Sequence, residues 1–96
     1  METTFSILLN VKTCTGYETY GKFFIGKDRE AALGIWKMLK GSPAVNEGIV
    51  LHMELMETAR NIPVNIYILG CTLEQITENT KIITKETFKL FSLKKP

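Results

Sequence analysis

Ligand-type and nucleophilic residues are scarce in this chain. It has one histidine, two cysteines, three prolines and one tryptophan in 96 residues. Cys14 and Cys71 form no C-x-x-C, and with His52 alone they fall short of the four Cys/His ligands, or three with an open position, of a zinc centre. A chain of this size also needs no disulfide scaffold. Size scaling buries roughly 65% of the open-chain surface in a fold this small, enough for one core. We therefore expect reduced thiols in a cytoplasmic, soluble protein. The opening Met-Glu-Thr-Thr-Phe-Ser-Ile-Leu-Leu-Asn lacks the basic region and long apolar run of a signal peptide. No run reaches the ~18 apolar residues of a membrane span. Neither G-x-x-x-x-G-K-[ST] nor G-x-G-x-x-G occurs, so the two common phosphate cradles are excluded.

What is present reads as one ordinary globular domain covering residues 1–96. Hydrophobic residues make up 45% and charged residues 23%. The formal charge is +2, but residues 81–96 carry +4, from five lysines and one glutamate. Such a small total does not suggest a nucleic-acid protein, whose domain usually reads strongly basic.

Two periods alternate along the chain. Phe5, Ile7, Leu9 and Val11 are spaced by two, as on one face of a strand. A turn at residues 13–16 follows, in which Gly16 can take positive φ. Residues 17–25 then read as a returning strand. At Asp28 the period changes to that of a helix, with Asp28 as N-cap, Glu30 in the first turn, and Ala31, Ala32, Ile35, Met38 and Leu39 on one face. Gly41 is expected as C′, before Pro43. The order then repeats: alternation from Ile49 to Leu55, a turn at residues 59–61, a strand over 62–69, and a capping box at Thr72 and Gln75. An offset of 44 superimposes the two halves, as pseudo-repeat units of about 4–40 and 48–92. The expected fold is α+β, ββαββα, a four-stranded mainly antiparallel sheet with two helices on one face. Two features stay open: the strand order between the hairpins, and whether residues 72–92 form one helix or break near Asn79.

If both helices lie on one face, the other face should be polar. Strict alternation gives it Leu8, Tyr20, Phe24, Val50, Met56, Tyr67 and Leu69 instead, mixed with Ser6, Asn10, Glu18, Lys22, His52, Glu54 and Asn65. A bulge at Gly21 would swap Tyr20 and Phe24. An apolar patch of this kind marks a partner surface. We expect a non-enzymatic binding module that homodimerises through the helix-free face, with Leu8, Tyr20, Phe24, Val50, His52, Glu54, Met56 and Tyr67 as candidate contacts. The alternative is a small-molecule or catalytic site built on His52, Glu54 and Tyr67, or on Cys71, which immediately precedes a helix. A third class is weak polyanion or nucleic-acid binding through Lys81, Lys85 and Lys89, which recur every four residues and are extended by Lys94 and Lys95. No cofactor or metal is expected. Gly26-Lys27-Asp28 reads as a cap, because the Asp28 carboxylate would repel an anion there. Trp36 reads as a cover for the core edge.

Overall fold

Alternating residues with β-branched and aromatic side chains build four strands, and two amphipathic segments build the helices. The computed structural model describes residues 2–44 and 48–92. In chain order the elements are β1 (Thr3–Thr13), β2 (Gly16–Gly26), α1 (Arg29–Met38), β3 (Leu51–Ala59), β4 (Ile62–Cys71) and α2 (Leu73–Ser92). The sheet is antiparallel throughout, in the order β2-β1-β3-β4. This settles the strand order: the first strands of the two hairpins meet at the centre, Leu8 opposite Glu54 and Asn10 opposite His52.

The turns and caps follow from local chemistry. Gly16 closes the first hairpin at φ 127°, a conformation that favours glycine. The second hairpin turns on two residues, Arg60 and Asn61, both at positive φ, which matches the twist of the flanking strands. Asp28 Oδ1 accepts from the N–H of Glu30 (3.0 Å) and Ala31 (3.4 Å). The Thr72 hydroxyl accepts from Gln75 N–H while the Gln75 side chain accepts from Thr72 N–H, so the capping box closes both ways.

Gly41 does not serve as C′. α1 ends at Met38 with Leu39 as an extended C-cap, and Lys40 falls outside the last turn. Glycine is required at position 41 for a different reason. A Cβ there would lie 2.8 Å from the Gly70 carbonyl oxygen, because the chain bridges to β4 through Ser42 and Gly70.

α2 is one unbroken helix. Thr77, Thr80 and Thr87 donate their hydroxyls back to the carbonyls of Leu73, Ile76 and Ile83, so the β-branched run is absorbed within the helix. Packing decides the matter: Ile76, Asn79 and Ile83 are buried, with Asn79 fully so. The Asn79 side chain accepts from Lys40 N–H and donates to the Lys40 carbonyl, both at 2.8 Å. The residue where a break was conceivable is thus the one that ties α2 to the end of α1.

Both helices pack on one face of the sheet. Phe5, Ile7, Ile25, Met53 and Leu55 form the sheet side of the core, and Ala32, Ile35, Trp36, Ile76 and Ile83 the helix side. Arg29 pairs with Glu57 at 2.6 Å, fixing the start of α1 over β3.

Candidate functional site

Pairing register decides which side chains reach the helix-free face. Three bulges shift it, at Leu9/Asn10 and Phe5/Ser6 in the first hairpin and at Leu55/Met56 in the second. In β4 the extra residue is Ile66. Beyond it, Tyr67 pairs with Leu55, Leu69 with Met53 and Cys71 with Leu51, all on the helix-bearing side. The Tyr67 ring accordingly stacks on Trp36 of α1, with centroids 6.4 Å apart. The expectation that Tyr67 and Leu69 share the face of His52 is therefore corrected, and Ile68, opposite Glu54, takes their place.

In β2 the extra residue of the first shift is Tyr20, 65% exposed at the sheet edge. Phe24 stays opposite Ser6 and Lys22 opposite Leu8. The exchange falls upstream instead, so Thr19 and Tyr17 reach the helix-free face and Glu18 leaves it. Phe24 is not free of the helices, for its ring stacks on Phe91 at 6.0 Å. Val50 lies just before β3 and is half exposed, its carbonyl accepting from Lys12 N–H.

The face therefore consists of three rows running across the strands. One row reads Phe24, Ser6, Met56, Asn65; the next Lys22, Leu8, Glu54, Ile68; the third Thr19, Asn10, His52, Gly70. A hydrogen-bonded belt crosses all four strands within them. The Thr19 hydroxyl donates to Asn10 Oδ1 (2.7 Å), Asn10 Nδ2 donates to Glu54 Oε1 (2.7 Å), and Asn65 donates to Glu54 Oε2. Asn10 Nδ2 also meets His52 Nδ1 at 3.3 Å. A carboxylate only accepts, so Glu54 fixes the Asn10 amide with its nitrogen inward. His52 Nδ1 must then be the acceptor, and the ring proton sits on Nε2.

His52 is nearly buried, covered by the Tyr17 ring at a centroid distance of 4.1 Å. The Tyr17 hydroxyl donates to Ile49 O (2.7 Å), which holds the ring there. Burial pushes the His52 pKa below its ordinary 6.5, and the nearby Glu54 carboxylate opposes that shift. Among the described residues every buried side-chain polar atom has a partner. The belt is self-satisfied.

His52 and Glu54 are thus brought together, but Tyr67 and Cys71 are not with them. Cys71 is buried on the helix side, where its thiol lies 3.5 Å from Lys40 O and 3.7 Å from Asn79 Nδ2. Burial raises its pKa, with the Asn79 contact opposing. A buried thiol with a raised pKa is a poor nucleophile, and the sheet separates it from His52. Among the described residues no group of three His, Cys, Asp or Glu could hold a metal ion. Among them, too, no helix is long and apolar enough to cross a membrane. Lys81, Lys85 and Lys89 all stand exposed on α2, and Lys89 meets Glu86 at 3.3 Å. Lys94 and Lys95 lie outside the described residues.

Sequence reading undervalued Asn10, Thr19, Asn65 and Tyr17. The available signal was asparagine at two strand centres, where it is a poor β-former and so needs a side-chain partner. Comparison with known proteins finds no match: no family model, no curated protein and no solved structure aligns with the chain.

Proposed function

We propose that this protein is a non-enzymatic binding module that pairs with a second copy through its helix-free sheet face. The observation that carries this reading is the face itself, where Leu8, Met56 and Ile68 surround a polar belt whose hydrogen bonds are already satisfied. Asn10 and Glu54 at the centre of the face are already hydrogen-bonded within the sheet, so covering them carries less than the usual penalty for burying polar groups. The sheet edges suit strand addition poorly. Two bulges interrupt β2, while β4 carries a bulge, a proline at position 63 and the Ser42 bridge. A partner therefore fits the face better than an edge.

Four strands of about ten residues span roughly 30 by 19 Å, or ~600 Å² of face. That is slightly below the ~800 Å² per partner of a standard interface. Leu8, Met56 and Ile68 are half buried already, so each adds only ~1 kcal/mol when covered. The expected dimer is of micromolar rather than nanomolar strength. Exposed Cys14 and buried Cys71 are both free thiols, which accords with a reducing, cytoplasmic setting.

The test is an amide chemical-shift dilution series. The reading predicts concentration-dependent shifts confined to residues 6–10, 52–56 and 65–68. Shifts that are absent, or that fall on the helices, would overturn it. The small-molecule reading loses one of its three groups with the relocation of Tyr67, and its Cys71 variant loses the exposed thiol.

A further inference from the structure

The opposite surface of the molecule carries a second feature, independent of the sheet face. α1 and α2 run antiparallel across the sheet: Lys40, just past α1, meets Glu78 near the start of α2, while Ala31 near the start of α1 faces Leu90 near the end of α2. Between them lies a groove of about 500 Å³, floored by Ala31, Gly34, Ile35, Met38 and Leu90. Gly34 sits in the interior of α1, where glycine weakens a helix relative to alanine. Its conformation does not require glycine, and a Cβ there would meet nothing within 4 Å. Met38, on the same floor, is half exposed. The groove is thus apolar, open, and deepened at Gly34.

Its α2 rim carries Glu86 and Lys89, which pair with each other, and the cationic surplus lies farther along the helix junction. Lys81 and Lys85 line a second hollow on the same helix junction, together with Lys40, and Lys89 lines the first. Lys40 and Lys89 face Glu78 and Glu86, but among the described residues Lys81 and Lys85 pair with no carboxylate. The lysine repeat on α2 thus borders the helix junction, with Lys89 on the apolar groove and Lys81 and Lys85 on the hollow beyond its Met38 end. This arrangement distinguishes between occupants. A bare polyanion would leave the floor wet, a second copy would set one lysine rim against another, and an uncharged apolar chain would leave the rim unused.

We infer that the α1–α2 groove is a docking site for an acidic amphipathic helix of a partner protein. Its apolar residues would lie on the Gly34–Met38 floor and its carboxylates against Lys81 and Lys85. The ten residues of α1 are ~15 Å long, which accommodates about three turns of a helix laid alongside it. The inference does not depend on the sheet-face dimer, so a monomeric protein would leave it standing.

The test uses the full chain and a synthetic helical peptide of about four turns, with leucine at spacings of three and four and glutamate on both flanks. Binding is followed calorimetrically against a peptide in which glutamine replaces every glutamate, against polyglutamate, and against laurate. The expected result is binding of the acidic peptide, at least ~10-fold weaker for the glutamine peptide and for the Lys81→Glu, Lys85→Glu double variant at low salt. Gly34→Leu fills the floor in open space, so it should stay folded and lose binding; Met38→Glu should lose it independently. Equal binding of acidic and neutral peptides would overturn the inference. So would polyglutamate or laurate binding as tightly as the acidic peptide, no binding of the acidic peptide at all, or undiminished binding by folded Gly34→Leu and Met38→Glu.

Discussion

Replacing Asn79 is the most incisive perturbation of the fold, because one buried side chain closes two backbone hydrogen bonds on another element. Asn79 is wholly buried, and its amide satisfies both the N–H and the C=O of Lys40 at 2.8 Å. Leucine at this position would fill similar space while leaving the Lys40 N–H unpartnered and its carbonyl with only the weak Cys71 thiol donor at 3.5 Å. An unsatisfied buried group costs ~1–3 kcal/mol, and Lys40 is only partly shielded from water, so the expected loss is about 2–4 kcal/mol. That is a large share of the ~5–15 kcal/mol of a typical domain, and it would lower Tm by roughly 10–25 °C. Asn79→Asp gives the sharper signature. It keeps the acceptor for Lys40 N–H but turns an acceptor toward the Lys40 carbonyl, so it should be least stable at neutral pH and recover on acidification, when the acid regains a donor. Urea unfolding followed by far-UV circular dichroism, with an unchanged m-value, measures both variants. A loss below about 1 kcal/mol for Asn79→Leu would refute the reasoning, since the bonds would then be replaceable by water or packing.

Three further outcomes are expected. His52 has its pKa lowered by burial, so its contribution to stability is complete above the unfolded value of 6.5 and falls away as pH drops through the lower folded value; chemical denaturation between about pH 7 and 4.5 should show this slope, and His52→Gln should flatten it. Gly34→Ala should raise stability by about 0.5–1 kcal/mol by thermal melt, since it adds a helix-favouring residue where nothing is displaced; a loss would show that the groove floor is not open. Under native conditions a thiol reagent should titrate Cys14 rapidly and Cys71 only after denaturation, one thiol and then a second; two fast thiols would contradict the burial of Cys71.

The legible parts of the fold were those fixed by local chemistry. Asp28, Thr72 with Gln75, and Gly16 each act where the sequence placed them, because caps and turns depend on residues within one turn of each other. Long-range register was less legible. The bulge that adds Ile66 turns Tyr67 and Leu69 to the helix side and Ile68 away from it, and nothing in a period-two pattern marks where one residue is skipped. α2 shows the same limit from the other direction. Its threonines argued for a break, and the tie from Asn79 to Lys40 overrides that propensity. In the candidate site, His52 and Glu54 were legible as neighbours on one face. Asn10, Thr19 and Asn65, which orient them, come from three other strands and were visible only as unusual strand residues.

The central claim is self-association through the helix-free face, and static light scattering of Leu8→Lys beside the unaltered chain tests it most directly. The unaltered chain, 10.9 kDa per copy, should approach twice that mass at about 100 µM and fall toward the single-chain mass on dilution into the low micromolar range. Leu8→Lys, at a partly exposed position at the centre of the face, should give an unchanged circular dichroism spectrum and the single-chain mass at every concentration. A single-chain mass for the unaltered protein throughout, or a dimer that Leu8→Lys leaves intact, would contradict the account.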